Sequence, residues 1–283
     1  MKKITSLHLS DNHLRILGLV TSSTEQSVEC CHAIDLPGEI FPPNLAEVEN
    51  CIPAPSGHVI MTLGGEFFHI QRVPLEVASE SDRKSQINWE ASQVLIDPVE
   101  DYSIDFTPAG RVAFWTAIRK DVTHMYTEFF LDLGFDAITF VVEPIALYGL
   151  NKHVQTLKRQ GAIWLGDKWG SFIGHSHNGL TTAETIDLSN PSHNEPKNLA
   201  QIRQWIQGDL GTERRRPAFD DILLYGEPSA LVDLSANLTD SKVPHIIPFD
   251  WETHVPNIKP TTDDIVNPNS FALALGAAMI QAQ

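Results

Sequence analysis

Along this chain the hydrophobic and polar positions change period several times, and the changes divide it into elements. Ile4 to Leu9 and Leu14 to Val20 alternate on either side of the polar turn Ser10-Asp11-Asn12, which predicts a hairpin, and Val28 to Ile34 adds a third strand. Asn44 is placed to cap a short helix through Leu45, Val48 and Ile52, closed by Pro53 and Pro55, and His58 to Leu63 predicts a strand that ends at Gly64-Gly65. From Pro74 the spacing becomes helical: Ile87, Ala91, Val94 and Leu95 share one face of a helix predicted from Leu75 to Ile96, which Asp97-Pro98 stops. Tyr102 to Phe106 and Val112 to Ile118 predict strands. Val122, Met125, Phe129, Phe130 and Leu133 predict a second helix with Gly134 at its left-handed cap, and Ala137 to Val142 predicts a strand before Glu143-Pro144 opens a third helix.

The second half restarts the programme. Ala162 to Leu165, Ser171 to His175 and Leu180 to Ile186 predict a meander with Asn178-Gly179 as its last turn. Leu199, Ile202, Ile206 and Leu210 line one helical face, Asp221 to Tyr225 reads as a buried strand, Ser229 to Asn237 as a short helix and His245 to Phe249 as a final strand. Asn267 with Pro268 predicts the start of a closing helix over 268–282. A meander followed by helices, given twice, predicts a duplicated α/β fold. The expected lobes are 1–148 and 149–283, with the closing helix placed to pack back on the first lobe.

Composition narrows the function. The 283 residues carry 20 Lys+Arg against 36 Asp+Glu, a formal charge of −16, which disfavours nucleic acid and anionic lipid as direct partners. With 42% hydrophobic residues and a mean hydropathy of −0.12 the chain can build cores but reads as neither disordered nor membrane-embedded. Its longest apolar run, Phe271 to Ile280, is about half of the roughly 20 residues a spanning helix needs. No apolar signal core follows Met1-Lys2-Lys3, so a cytoplasmic location without direct membrane insertion is expected. Cys30, Cys31 and Cys51 have no metal-ligand spacing and read as packed thiols. Neither a dinucleotide glycine fingerprint, nor a Walker loop, nor a nucleophile elbow is present.

In this order the residues resemble the actin-like ATPase superfamily, and within it the type IV pilus assembly protein PilM, a relative of FtsA. Arg72-Val73-Pro74 leading to Trp89-Glu90-Ala91 and the acidic Asp97-Pro98-Val99-Glu100-Asp101-Tyr102 are similar to the small α+β subdomain that PilM inserts in its first lobe, here over about 70–138. Val142-Glu143-Pro144-Ile145-Ala146-Leu147 resembles the return from it, and Pro248-Phe249 with Ser270-Phe271-Ala272-Leu273-Ala274-Leu275-Gly276 the family's closing strand and helix. The resemblance implies two lobes of ribonuclease H-like topology, each with a mixed five-stranded sheet. A PilM-like protein binds the cytoplasmic N-terminal peptide of the inner-membrane protein PilN, and the resemblance implies a groove near Arg72, Pro74, Trp89 and Phe106, together with contacts to other pilus platform components.

The nucleotide motifs are where the match fails. The superfamily uses a hairpin of the type Asp-hydrophobic-Gly in each lobe, the glycine admitting phosphate to the backbone and the carboxylate holding the metal through water. Here the first hairpin has His8 at the aspartate position and Ser10 at the glycine position; the second keeps Gly166 but has Trp164 for the aspartate, and the adenine-side glycine pair reads Gly226-Glu227. Asp11 and Asp167 are carboxylates shifted along those turns. Three altered sites predict a scaffold with no required cofactor, and make ATP and magnesium at Ser10, Asp11, Gly166, Asp167, Gly226 and Glu227 the lesser expectation. An active actin-like ATPase or small-molecule kinase with variant loops is the enzyme alternative. A second alternative is the cytoplasmic part of a GspL-like type II secretion protein, in which a membrane helix would be expected to follow the region ending here at Gln283.

Other clusters carry bland readings. His175 and His177 share a strand face but lack a third ligand at suitable spacing, and the basic run Arg214-Arg215-Arg216 reads as a solvated loop. Trp89 and Trp205 lie beside the apolar stripes of their helices, which predicts partial burial of both, and Trp164 and Trp169 flank the second phosphate turn and could fill the cleft.

Overall fold

The computed structural model describes residues 2–10, 13–22, 26–35, 49–52, 57–75, 79–154, 159–166, 168–176, 179–188, 202, 205–206, 219–226, 245–260 and 268–282. Of the helix predicted from Asn44, Glu49 to Cys51 are described and helical, whereas its start, the helix predicted over Ser229 to Asn237 and the arginine run lie outside the described residues.

Strands β1 (Lys2–Ser10), β2 (His13–Thr21) and β3 (Gln26–Asp35) form the predicted antiparallel meander, and β4 (His58–Leu63) and β8 (Ala137–Val142) join parallel to β1, giving the order β3-β2-β1-β4-β8. The second sheet repeats the plan: β9 (Gln160–Leu165), β10 (Trp169–Ser176) and β11 (Gly179–Asp187) are antiparallel, while β12 (Asp221–Gly226) and β13 (His245–Pro248) run parallel to β9, in the order β11-β10-β9-β12-β13. Two sheets with the same order and the same mixture of directions are the duplication that the sequence predicted. The first sheet also gains a sixth strand, β14 (Ile258–Pro260), parallel to β3, which the sequence reading did not foresee.

Between β4 and β8 lies a three-stranded sheet ordered β5-β7-β6, from β5 (Phe68–Pro74), β6 (Tyr102–Ala109) and β7 (Val112–Arg119). Helix α1 (Glu80–Val94) covers one face of it through Ile87 and Ala91, which pack with Val73, Ala113, Trp115 and Ala117. Phe114, pointing the other way on β7, joins the core that contains Leu180 and Ala183 of β11. Helix α1 starts five residues later than predicted because the Ser79 hydroxyl accepts from the Asp82 amide (3.2 Å) and fixes the N-terminus there. Strand β5 takes the stretch before it.

Helix α2 (Lys120–Asp132) buries Val122, Tyr126, Phe129 and Phe130, and Gly134 at φ 101° lets the Phe135 amide reach the Phe130 carbonyl (3.1 Å). Helix α3 (Glu143–Asn151) follows β8 without a loop, Pro144 occupying its first turn. After a 3₁₀ turn at Pro268–Phe271, helix α4 (Ala272–Ala282) is apolar around its whole circumference and packs on α3 and on β1, β2 and β4. The crossing is close: a Cβ on Gly276 would lie 2.1 Å from the Ala146 carbonyl oxygen.

Candidate functional site

Each sheet sends a hairpin to the same region, and α3 begins beside both. Ser6, His8 and Ser10 project from one face of β1, with Arg15 opposite His8 on β2. Glu143 opens α3 at the end of β8, and Ser171 lies on β10, paired with Trp164 of β9. All but the slightly accessible Arg15 are wholly or almost wholly buried.

Two of these groups converge on the Glu143 carboxyl. His8 Nε2 lies 2.9 Å from Glu143 Oε1, and the Ser171 hydroxyl donates to Glu143 Oε2 at 2.8 Å. Burial pushes the Glu143 carboxyl up to about 7, while the hydroxyls of Ser171 and Ser10 and the charge of Arg15 draw it partly back. The Trp164 indole meets the His8 ring edge-on at 5.2 Å between centroids, with the Arg15 guanidinium carbon 5.8 Å from the indole centroid. Across the same junction the Trp169 ring covers Gly65: a Cβ there would sit 2.4 Å from Trp169 Cε3. Gly64 bonds the Leu9 carbonyl through its amide (2.7 Å), and Gly166 closes the second hairpin by donating to the Trp169 carbonyl (2.9 Å).

The predicted nucleotide residues divide on inspection. Ser10 and Gly166 are buried beside the turns of their hairpins. Asp11, Asp167 and Glu227 lie outside the described residues. Gly226, at φ 122°, has no room for a side chain, since its Cβ would lie 2.0 Å from the Leu165 carbonyl oxygen; the close approach of β12 to β9 requires glycine with or without a nucleotide. His8 and Trp164, at the positions where the resemblance implies metal-holding aspartates, offer no carboxylate and spend their rings on each other. The residues described here do not fit a metal-bound triphosphate. A carboxyl poised near 7 is what a general base requires, yet both Glu143 oxygens are committed and the side chain is sealed from solvent.

The four groove residues are not brought together. Arg72 and Pro74 sit on β5 opposite Phe114 and Val112, whereas Phe106 on β6 is opposite Trp115, on the face that α1 covers. Trp89 corrects the expectation of partial burial: it is 61% exposed, because only Ile87 and Ala91 of α1 reach the sheet. Trp205 is more deeply buried than expected, stacked on Phe172 with its indole N–H donated to Glu184 (2.6 Å). His175 is half-buried against Tyr148, and among the described residues no three His, Cys, Asp or Glu side chains are grouped to hold a metal. A separate cavity of about 380 Å³, lined in part by Gln26, His153, His254 and Met279, opens at the opposite end of β1 from the hairpin tip.

The sequence reading missed Glu143, Ser171 and Arg15 as site residues. Their signal was present, in a charged side chain between Val142 and Pro144 and an arginine within the apolar run Leu14 to Val20.

The duplicated sheets, the inserted subdomain and the shared junction give this chain the actin-like ATPase fold. It superposes with a TM-score of 0.56 on a Bacteroides thetaiotaomicron protein with actin-like ATPase fold and unknown function, at 12% identity over 96% of this chain and 95% of the other. Within that class the architecture is PilM-like: superposition on a chain of the PilM-PilN type IV pilus biogenesis complex gives a TM-score of 0.76 at 14% identity, covering 99% of this chain and 98% of that one. The cytoplasmic domain of EpsL, an inner-membrane component of the type II secretion system of Vibrio cholerae, superposes with a TM-score of 0.56 at 12% identity over 99% and 95%. No protein-family model and no curated protein sequence matches the chain.

Proposed function

We propose that this chain is a PilM-like docking platform of a type IV pilus, competence or related secretion machine, working without ATP hydrolysis and peripheral to the inner membrane through a PilN-like partner. The observation that carries the reading is the end-to-end superposition on the PilM-PilN complex chain, with the inserted subdomain present. The junction supports the scaffold half of it, because His8 and Trp164, at the aspartate positions of the two hairpins, are packed against each other. Among the described residues no helix is long and apolar enough to cross a membrane, which suits attachment through a partner.

The partner's cytoplasmic N-terminal peptide binds extended along an edge of the three-stranded sheet, gaining main-chain hydrogen bonds there and burying its apolar side chains. Arg72 and Pro74 serve one edge, Phe106 and the exposed Trp89 the side of the other. Titration of the full chain with that peptide, followed by fluorescence anisotropy, tests the reading: binding at tens of micromolar or tighter is expected, about −6 kcal/mol or better. Alanine at one of the two pairs should weaken it by about tenfold or more while the other pair leaves it unchanged. No binding by the wild type contradicts the platform, and equal binding by both double variants contradicts the groove.

A further inference from the structure

The resemblance implies a metal-bound nucleotide held between two hairpins, one from each sheet. Contacts within the protein fill that junction instead. Ser171 of the second sheet and His8 of the first grip the two oxygens of the same carboxylate, Glu143, so that one buried side chain ties both sheets to the start of α3. Trp164 of β9 rests on His8 of β1 and under Arg15 of β2. Trp169, opening β10, lies on the bare backbone of Gly65 beside the β1–β2 hairpin, an approach only glycine permits. The Ser171–Glu143, Trp164–His8 and Trp169–Gly65 contacts join the first lobe to the second, and His8 and Trp164 stand where the resemblance would place the metal-holding aspartates.

We infer that these side chains form a built-in clasp that takes over the bridging work of the nucleotide and holds the two lobes in one closed arrangement without any ligand. The chemistry suits a permanent clasp. A carboxyl shared by an imidazole and a hydroxyl is out of reach of water here, and truncating Ser171 removes one of its hydrogen bonds where water cannot replace it. Two indoles add apolar area that a charged nucleotide would have to displace. A platform built this way presents its docking face constantly rather than on a nucleotide cycle. The clasp stands on its own geometry and does not rest on the partner reading.

Amide hydrogen exchange on the full chain, with no nucleotide added, tests it. The reporters are the Gly64 and Phe67 amides on the first-lobe side and the Gly166 amide on the second, each hydrogen-bonded at the junction. In Ser171→Ala and in Trp169→Ala exchange should rise together on both sides by about tenfold or more, as expected for a lost buried hydrogen bond or a lost buried aromatic. Ser171→Thr, which keeps the hydroxyl, should stay near wild type. Should Trp169→Ala fail to fold by far-ultraviolet circular dichroism, the two Ser171 variants decide alone. Exchange that rises only on the mutated side, or on neither, overturns the clasp whatever the outcome of the peptide titration.

Discussion

Glu143 shows how one residue's chemistry follows from its surroundings. A glutamate in the unfolded chain gives up its proton near 4.5, whereas this one keeps it to about 7 because it is buried. The sign of the linkage is therefore the reverse of the usual acidic case: the stability it supplies is complete below 4.5 and is withdrawn as pH rises through 7. His8, Ser10, Arg15 and Ser171 are the groups that face it. Glu143→Gln keeps the shape and cannot titrate. Urea unfolding between pH 5 and 7 should show the wild type losing stability relative to this variant, by up to about 1.4 kcal/mol per pH unit; parallel pH profiles would show that the carboxyl does not titrate in this range. The pairing was not legible in the sequence, since His8 and Glu143 are 135 residues apart and the glutamate read only as a helix opener.

Elements with a regular period were legible and elements that borrow their shape were not. The three-strand meander of each half emerges within a few residues of its predicted bounds because alternation is a property of the segment alone. Strand β14 is three residues in a Pro-rich and Asn-rich stretch; it is a strand only because the free edge of β3 supplies partners. Strand β5 has His69, Gln71 and Arg72 among its apolar residues and depends on β7 in the same way. Helix α4 was expected from its apolar run, but the reason for Gly276 became visible only with α3 in place. Gly276→Ala forces a methyl group into the Ala146 carbonyl, and overpacking against backbone should cost about 3 kcal/mol or more, lowering the melting temperature by roughly 6 °C or more. A thermal melt within 1 °C of wild type, roughly the noise of such a measurement, would mean that the two helices separate easily.

At the scale of the molecule, the duplicated topology could be read from the order of elements, whereas the junction between the lobes could be read only as a set of departures from a motif. His8 and Trp164 stand where the resemblance implies aspartates; that the two meet each other, with Glu143 and Ser171 beside them, is a property of the packed chain. The net charge of −16 agrees with this account, because an acidic molecule without a phosphate loop gives an anionic nucleotide little to bind. A basic, apolar partner segment is the better electrostatic match. Thermal unfolding with and without millimolar Mg-ATP or Mg-ADP tests the proposal that the junction of this actin-like fold is structural rather than nucleotide-binding. Coincident melting curves are expected; a nucleotide at about 100 times its dissociation constant would add about 2.7 kcal/mol, and a rise of roughly 5 °C or more with either nucleotide would contradict a structural junction.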